Sequence, residues 1–380
     1  MKSSFNPSIA IVIPCFNRTD TLSLLLSSLQ SAVYHQKVDI VFSIDYSGKD
    51  DVYNVANRFE WLHGNKRIVK HEKNIGLRRN IISCGDMTAQ YDAVIVLEDD
   101  LVVSPYFFDY AYHACKFYWD SESVGEISLY GYQASEGLDY FSPLTNGCDT
   151  YFMQWASSWG QLWTSRQWQG FKKWYDNYQG NLTECHIPRH VKSWDESWKK
   201  FFIAYLVEKD KYCVYPKQSF TTTRPTIGTH SSIAKTYGPS SVPLYENKVR
   251  DYLFQPYEGA LRYDSYFELK EYEIELDGKK IQVNFDLLCN KEFSDFNKQY
   301  YITTVANLNG KCLKSWGRLL LPFENNVILG IEGEGLYMYK VSDYNQINLT
   351  PSEKYDRRMY LTSYESLKLL LKKMLKKIFG

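Results

Sequence analysis

The sequence predicts an α/β fold with a mostly parallel sheet flanked by helices, and three observations carry this prediction. Short apolar runs rich in β-branched residues alternate with helical patterns through the N-terminal third, which is typical of βαβ units with right-handed crossovers. The run at residues 93–97 leads directly into three acids at residues 98–100. Arg18 and Asp45 follow two earlier runs in the same way, so charged groups are expected to meet at the carboxyl edge of the sheet.

Each predicted element follows from its local pattern. Apolar runs of four to seven residues bounded by polar or turn residues predict buried strands, whereas leucines repeating at three- and four-residue intervals predict a helix. The elements are, in order, a strand at 9–14, a helix through 22–29, a strand at 38–44, a helix at 50–61, a short strand at 67–70, a helix opening at 74–80 and the strand at 93–97.

The acids at residues 98–100 are the first candidate functional group. Three adjacent carboxylates repel each other and resist burial, so a positive partner is expected beside them. A hard divalent cation that carries a diphosphate fits this description. The alternative is a solvated acidic turn, but the polar residues at the ends of three strands favour a binding site.

Composition limits the possible functions. The formal net charge is zero, from 44 basic and 44 acidic residues, which argues against nucleic-acid binding through a general basic field. The eight cysteines form no Cys-x-x-Cys pair, which argues against a zinc site and fits a reducing compartment. The sequence shows no signal-peptide pattern and no apolar run of about 18 residues. We therefore expect a cytoplasmic protein, with the inner face of the cell membrane as a further place of action.

Four segments together resemble the nucleotide-binding half of GT-A glycosyltransferases of the family 2 type: IVIPCFNR, FSIDYSG, HEKNIGLRRN and VIVLEDDLVVSPYFFDY. The resemblance covers about residues 8–235 and is most specific over residues 98–110. Family 2 commonly has Asp-x-Asp at the metal motif. The Glu-Asp-Asp form here, followed by Pro and two aromatic residues, is closer to the N-acetylglucosaminyltransferase I type. The resemblance implies a GT-A (Rossmann-like) fold and sugar transfer from a nucleotide sugar.

The resemblance also implies roles for individual residues. Asp100 is expected to coordinate Mn²⁺ or Mg²⁺, with His230 as a second metal ligand or a donor to phosphate. A lone histidine is more often structural or simply exposed, so both interpretations of His230 stay open. Asp99 is expected at the ribose and Glu98 at the donor sugar. The complete set of expected donor-binding residues is Pro14, Arg18, Asp45, Arg78, Arg79, Glu98 and Asp99.

A second candidate group lies at residues 193–198, where Asp195 and Glu196 stand between two tryptophans ahead of an apolar helical pattern. A carboxyl group beside bulky apolar groups can act as a general base near neutral pH, although acids are also favoured at helix N-termini. The inverting enzymes of the compared type carry a Trp-Asp-Asp-Trp block that holds the base. Because this chain has one additional residue, Asp195 is the first candidate for the base and Glu196 the second.

Aromatic residues make up 16% of the chain, which suits a protein that stacks on sugar rings. Trp155, Trp159 and Trp163 recur every four residues. On a helix they would share one face, and in a loop they could form the floor of a sugar site. We expect Trp155, Trp159 and Trp194 at the acceptor.

The chain is predicted to divide into four parts. Residues 1–125 and 126–244 are the expected donor half and the acceptor or catalytic half. Residues 245–350 have a β-rich pattern that includes an Asp-Gly hairpin signal and strand candidates at 327–331 and 336–339. Residues 351–380 contain a basic amphipathic helix, which could bind an anionic membrane surface or dock on its own protein.

The resulting prediction is an inverting, metal-dependent glycosyltransferase. It would move a hexosyl or N-acetylhexosaminyl group from a nucleotide sugar, with UDP as the expected nucleotide, to a glycan or lipid-linked acceptor in bacterial surface polysaccharide synthesis. A sugar nucleotidyltransferase is the first alternative, but residues 15–18 lack the glycine-rich loop that it needs. A catalytically degenerate carbohydrate-binding protein is the second.

Overall fold

The computed structural model describes residues 5–135, 140–224, 240–307, 309–345 and Leu371. His230 lies outside the described residues, as does the predicted basic helix at 362–380 apart from Leu371, whose side chain is exposed. The chain divides into two compact units. The first comprises Met1–Tyr132 and Pro143–Tyr272, and the second comprises Gln133–Ser142 and Glu273–Gly380.

The first unit is an α/β structure built around a nine-stranded sheet, as predicted. The strands of this unit, nine of them in the large sheet, are β1 (Ile9–Cys15), β2 (Asp39–Ile44), β3 (Lys66–Lys70), β4 (Ala93–Val96), β5 (Leu101–Val103), β6 (Val124–Ser128), β7 (Thr150–Met153), β8 (Gln161–Thr164), β9 (Tyr212–Pro216), β10 (Thr221–Thr223) and β11 (Arg262–Tyr263). Its helices are α1 (Thr19–Gln30), α2 (Asp51–Arg58), α3 (Leu77–Asp86), α4 (Phe107–Phe117), α5 (Ser165–Asn177), α6 (Arg189–Lys192) and α7 (Trp198–Glu208).

The strand order in the large sheet is β11-β7-β9-β6-β8-β4-β1-β2-β3. Strands β3, β2, β1 and β4 are parallel to one another, and β8 joins β4 in antiparallel orientation. The carboxyl ends of β1, β2 and β4 therefore lie along one edge. Strands β5 and β10 form a separate antiparallel pair immediately after the acids.

Burial of the central strands follows from their sequences. Every residue of β1 and β4 is buried, as expected for apolar strands covered on both faces. Helix α1 buries Leu22, Leu25 and Leu29 against this sheet. The buried strands and the amphipathic helix α1 thus fix the position of the sheet edge. The polar and charged residues that follow the strands are not part of this apolar core.

The tryptophans at 155, 159 and 163 do not share a helix. Trp155 and Trp159 lie between β7 and β8, and Trp163 lies in β8. Trp163 is fully buried and packs on Trp168 and Trp198. The helical interpretation is wrong because β8 pairs with β4 here, and strand pairing outweighs a four-residue spacing.

The second unit contains a five-stranded sheet, which confirms the β-rich C-terminal region. The strands and one helix are β12 (Tyr272–Leu276), β13 (Lys279–Asp286), β14 (Tyr300–Thr303), β15 (Lys314–Gly317), α8 (Glu324–Ile328) and β16 (Gly335–Lys340). Asp277 and Gly278 both have positive φ between β12 and β13, as the Asp-Gly hairpin signal predicts. The strand expected at 327–331 is wrong, since α8 occupies its start.

Candidate functional site

The acidic residues 98–100 lie where β4 ends, and Arg18 approaches them from the end of β1. The Arg18 guanidinium forms ion pairs with the carboxylates of both Asp99 and Asp100, the second at 2.6 Å. The Asp99 side chain is only 3% exposed, whereas the Asp100 side chain is 24% exposed. The structure thus brings four of the predicted donor and metal residues into one cluster.

Burial and mutual repulsion set the charges of this cluster. Burial, followed by the neighbouring Asp100 carboxylate, raises the pKa of Glu98 to about 8. Burial raises the pKa of Asp99 to about 6, although Arg18 opposes this rise. Burial disfavours the charged guanidinium of Arg18, but Asp99, Asp100 and Glu98 outweigh it and raise the pKa of Arg18. The cluster therefore has a surplus of acids for its one direct cationic partner.

The acid cluster has the chemistry that a divalent cation needs. The carboxylates of Asp99 and Asp100 already converge on one cationic group, Arg18, and carboxylate oxygens are the preferred ligands of Mg²⁺ and also suit Mn²⁺. Within the described ranges, no group of three or more His, Cys, Asp or Glu side chains has the arrangement of a complete metal site. The described residues therefore offer carboxylate oxygens that suit a divalent cation, without a complete set of ligands.

Asp45 follows β2 and is committed mainly to holding a neighbouring loop. One carboxylate oxygen accepts hydrogen bonds from the backbone N–H groups of Tyr46 and Ile75 at 2.9 and 2.8 Å, and the other accepts from Gly76 at 2.9 Å. Gly76 precedes α3 with a φ of +81°, a conformation that favours glycine. Because a carboxylate has about four acceptor positions, Asp45 keeps little capacity for a nucleoside.

Arg78 on α3 contacts the segment that carries the two candidate bases. Its guanidinium donates to the backbone oxygen of Asp195 at 2.7 Å and lies 3.3 Å from the Glu196 carboxylate. The same group lies 5.1 Å from the centre of the Phe201 ring. Arg79, on the next position of α3, is exposed. The structure therefore places Arg78 with the candidate bases, while its predicted contact with a diphosphate stays a prediction.

Lys199, near the start of α7, is a site residue that the sequence analysis missed. Its side-chain nitrogen lies 5.4 Å from the ring centres of Trp155 and Trp194 and 5.7 Å from that of Trp159. The residue is only 7% exposed, and its charge acts on Glu98. The three tryptophans predicted at the acceptor thus surround one cation. Trp155 itself is buried, which leaves Trp159 and Trp194 as the half-buried rings.

Glu126 in the middle of β6 anchors the loop that carries two of these tryptophans. Its carboxylate accepts hydrogen bonds from Ser157 N at 2.6 Å, Trp163 Nε1 at 2.9 Å and Cys213 Sγ at 3.2 Å. Burial raises the pKa of Glu126 to about 7, although these hydrogen bonds oppose the rise. A Gly-Glu pair inside an apolar run was the only sequence signal for this anchor.

We expect Glu126→Gln to flatten the pH dependence of folding stability. The carboxyl has an ordinary pKa of 4.5 and a folded-state pKa of about 7, so the folded protein retains a proton that the unfolded chain releases between these pH values. Glu126 therefore makes the wild type lose up to about 3 kcal/mol as the pH rises through this interval. Urea unfolding from pH 4.5 to pH 8 would show a smaller loss in the variant, whereas parallel profiles would contradict the assignment.

A comparison with protein families identifies the segment that contains the acid cluster. Residues 10–127 match glycosyl transferase family 2. This segment of the chain is thus similar to glycosyl transferase family 2. The match includes β2, β4, Arg18 and residues 98–100, which are among the features from which the sequence predicts a glycosyltransferase. The candidate bases and Lys199 lie beyond the matched segment.

Three solved structures show limited likeness to this chain. The mannosyltransferase PcManGT from Pyrobaculum calidifontis, with GDP-Man and Mn²⁺, is 14% identical over 48% of this chain and 50% of its own, with a TM-score of 0.30. S. aureus TarS with UDP-GlcNAc is 14% identical over 60% and 61%, with a TM-score of 0.39. GalNAc-T7 with UDP, GalNAc and Mn²⁺ is 11% identical over 56% and 43%, with a TM-score of 0.41.

The matched regions span only about half of those three chains, between 43% and 61%. With TM-scores below 0.5, the three likenesses add no argument to the family 2 match. A search of curated proteins finds no match. Among the described residues, no helix has the length and apolar character needed to cross a membrane.

Proposed function

We propose that this chain is an inverting, metal-dependent glycosyltransferase that uses a nucleotide sugar, with UDP as the expected nucleotide. The proposed acceptor is a glycan or lipid-linked glycan of bacterial surface polysaccharide synthesis. The observation that carries the proposal is the convergence of Asp99 and Asp100 on one cation at the end of β4, inside the family 2 match. The same match favours sugar transfer over nucleotidyl transfer.

The donor side of the proposed reaction belongs to the acid cluster. Mn²⁺ or Mg²⁺ held by Asp100 would supply positive charge to the diphosphate as it leaves. Asp99 accepts hydrogen bonds from ribose hydroxyls and Glu98 from the donor sugar, while Arg18 contacts a phosphate oxygen through its planar fork. The resemblance to the N-acetylglucosaminyltransferase I type and the metal role of His230 belong to this proposal.

The acceptor side of the reaction belongs to residues 193–199. Asp195 takes the proton of the acceptor hydroxyl as the oxygen attacks the anomeric carbon from the face opposite the leaving diphosphate. One base suffices for inversion. The charge of Lys199 on α7 acts on Glu98, which supports the nearness of this segment to the acid cluster. Arg78 of α3 binds the Asp195 backbone and so holds the segment beside α3. Trp159 and Trp194 offer ring faces to an acceptor sugar.

A panel of nucleotide sugars tests the proposed function. We expect one donor to release its nucleoside diphosphate in the presence of Mn²⁺ and to lose that release when EDTA is added. Release should rise with a suitable glycan acceptor. Donor binding without metal and without release from any donor would instead favour a degenerate carbohydrate-binding protein.

Membrane binding by residues 362–380 is a separate part of the proposal. The sequence pattern of residues 362–380 predicts an apolar helical face beside lysines at 368, 372, 373, 376 and 377, which suits an anionic membrane surface because each lysine contributes about 1 kcal/mol. Removing residues 362–380 is expected to release the protein from vesicles that contain phosphatidylglycerol, with unchanged kinetics on a water-soluble acceptor. Equal vesicle binding by the two proteins would contradict this role.

A further inference from the structure

Arg18 occupies one oxygen of each of two carboxylates that a metal ion could use. One nitrogen of its guanidinium pairs with Asp99, and the other lies 2.6 Å from Oδ2 of Asp100. A divalent cation at Asp100 requires the same carboxylate and carries the same sign of charge as Arg18. The two cations therefore compete for the Asp100 carboxylate.

The surroundings allow Arg18 to leave Asp100. The Arg18 side chain is 29% exposed and Asp100 is 24% exposed, so both face the open side of the cluster. Asp99 is 3% exposed, and a buried carboxylate that is charged is destabilising without a partner. These exposures are compatible with an Arg18 guanidinium that releases Asp100, whether or not it keeps its contact with Asp99.

We propose that Arg18 is a resident counter-cation that a divalent metal must displace from Asp100, and that the displaced guanidinium then binds the donor diphosphate. This inference depends on the proposed function. It makes metal and donor binding mutually reinforcing, since a diphosphate that holds Arg18 removes the competitor of the metal. Because such coupling is reciprocal, the metal strengthens donor binding by the same factor.

Titration of Mn²⁺ alone into the full chain tests the proposal, with calorimetry or the electron paramagnetic resonance signal of free Mn²⁺ as the readout. We expect Arg18→Gln to bind Mn²⁺ about tenfold more tightly than the wild type or better, which corresponds to about 1.4 kcal/mol. Arg18→Lys keeps the charge without the planar fork and should fall between them. Arg166→Gln removes the same charge from an ion pair with Glu122 at 2.7 Å and should match the wild type.

A second readout covers the case in which Arg18→Gln folds poorly. The rise in melting temperature on adding Mn²⁺ should be larger for Arg18→Gln and Arg18→Lys than for the wild type. Equal or weaker Mn²⁺ binding by both variants would overturn the proposal, as would the absence of binding to every protein. Metal-dependent donor release by the wild type with unchanged Mn²⁺ affinity in the variants would reject this inference and leave the proposed function standing.

Discussion

Replacing Asp100 with alanine is expected to lower turnover about 1,000-fold or more, which is about 4 kcal/mol of transition-state stabilisation. The physical reason is the charge that develops on the departing diphosphate. Asp100 is more exposed than Asp99, the other acid that Arg18 binds, and it is the residue proposed to hold the metal. Turnover of the donor found in the panel, measured over a range of Mn²⁺ concentrations, gives the effect directly.

The same variant should fold normally. Asp100 is partly exposed, and its loss leaves Arg18 paired with Asp99, so we expect stability to change by no more than about 1 kcal/mol. Asp50→Ala is the matched control, because Asp50 also pairs with a basic side chain, Lys70, at 2.6 Å. Turnover of Asp100→Ala within tenfold of the wild type at saturating donor would refute the metal assignment.

The fold around the cluster was predictable because its signals are local. Buried strands such as β1 and β4 are continuous apolar runs, and parallel pairing carries their carboxyl ends to one edge. The acids at 98–100 follow such a run directly. Sequence could therefore place Arg18 and these acids in the same region without any knowledge of side-chain geometry.

The details of the site depend on contacts between distant segments, which local patterns do not show. Lys199 follows a tryptophan at the start of a helix, where a lysine is ordinarily solvated; its burial comes from Trp155 and Trp159, about forty residues earlier. Asp45 similarly looked available for a ligand. Its two oxygens accept hydrogen bonds from the backbone N–H groups of residues 75 and 76. No local sequence pattern indicates that this loop packs back against the end of β2.

The incorrect strand at 327–331 has a different cause. A short apolar run cannot by itself distinguish a strand from a buried helical turn. Here Asn326 decides, because its fully buried side chain accepts from the N–H groups of Leu319 and Leu320 and donates to the oxygens of Leu320 and Phe323. These four hydrogen bonds stabilise the turn around α8. The polar residue Asn326, directly before the apolar run, was the sequence feature that argued against a strand.

The identity of the catalytic base gives the second large effect: Asp195→Asn is expected to lower kcat by about 10² to 10⁴, the usual contribution of a general base. The structure separates the two candidates. The Glu196 carboxylate is engaged in an ion pair with the Arg78 guanidinium at 3.3 Å. Within the ranges that the structure describes, no hydrogen bond or ion pair engages the Asp195 carboxylate, while Arg78 binds its backbone oxygen at 2.7 Å.

Glu196→Gln is therefore the matched control for Asp195→Asn, since it removes a neighbouring acid of the same loop. It should change kcat only a few-fold, because Glu196 is 92% exposed and Arg78 keeps its bonds to the backbone of both residues. The large loss of kcat should therefore appear in Asp195→Asn and be absent from Glu196→Gln. The reverse pattern would make Glu196 the base, and a small effect in both variants would remove residues 193–197 from proton transfer. Arg78 ties this loop to α3 through the backbone oxygens of both residues, whichever of the two acids takes the proton.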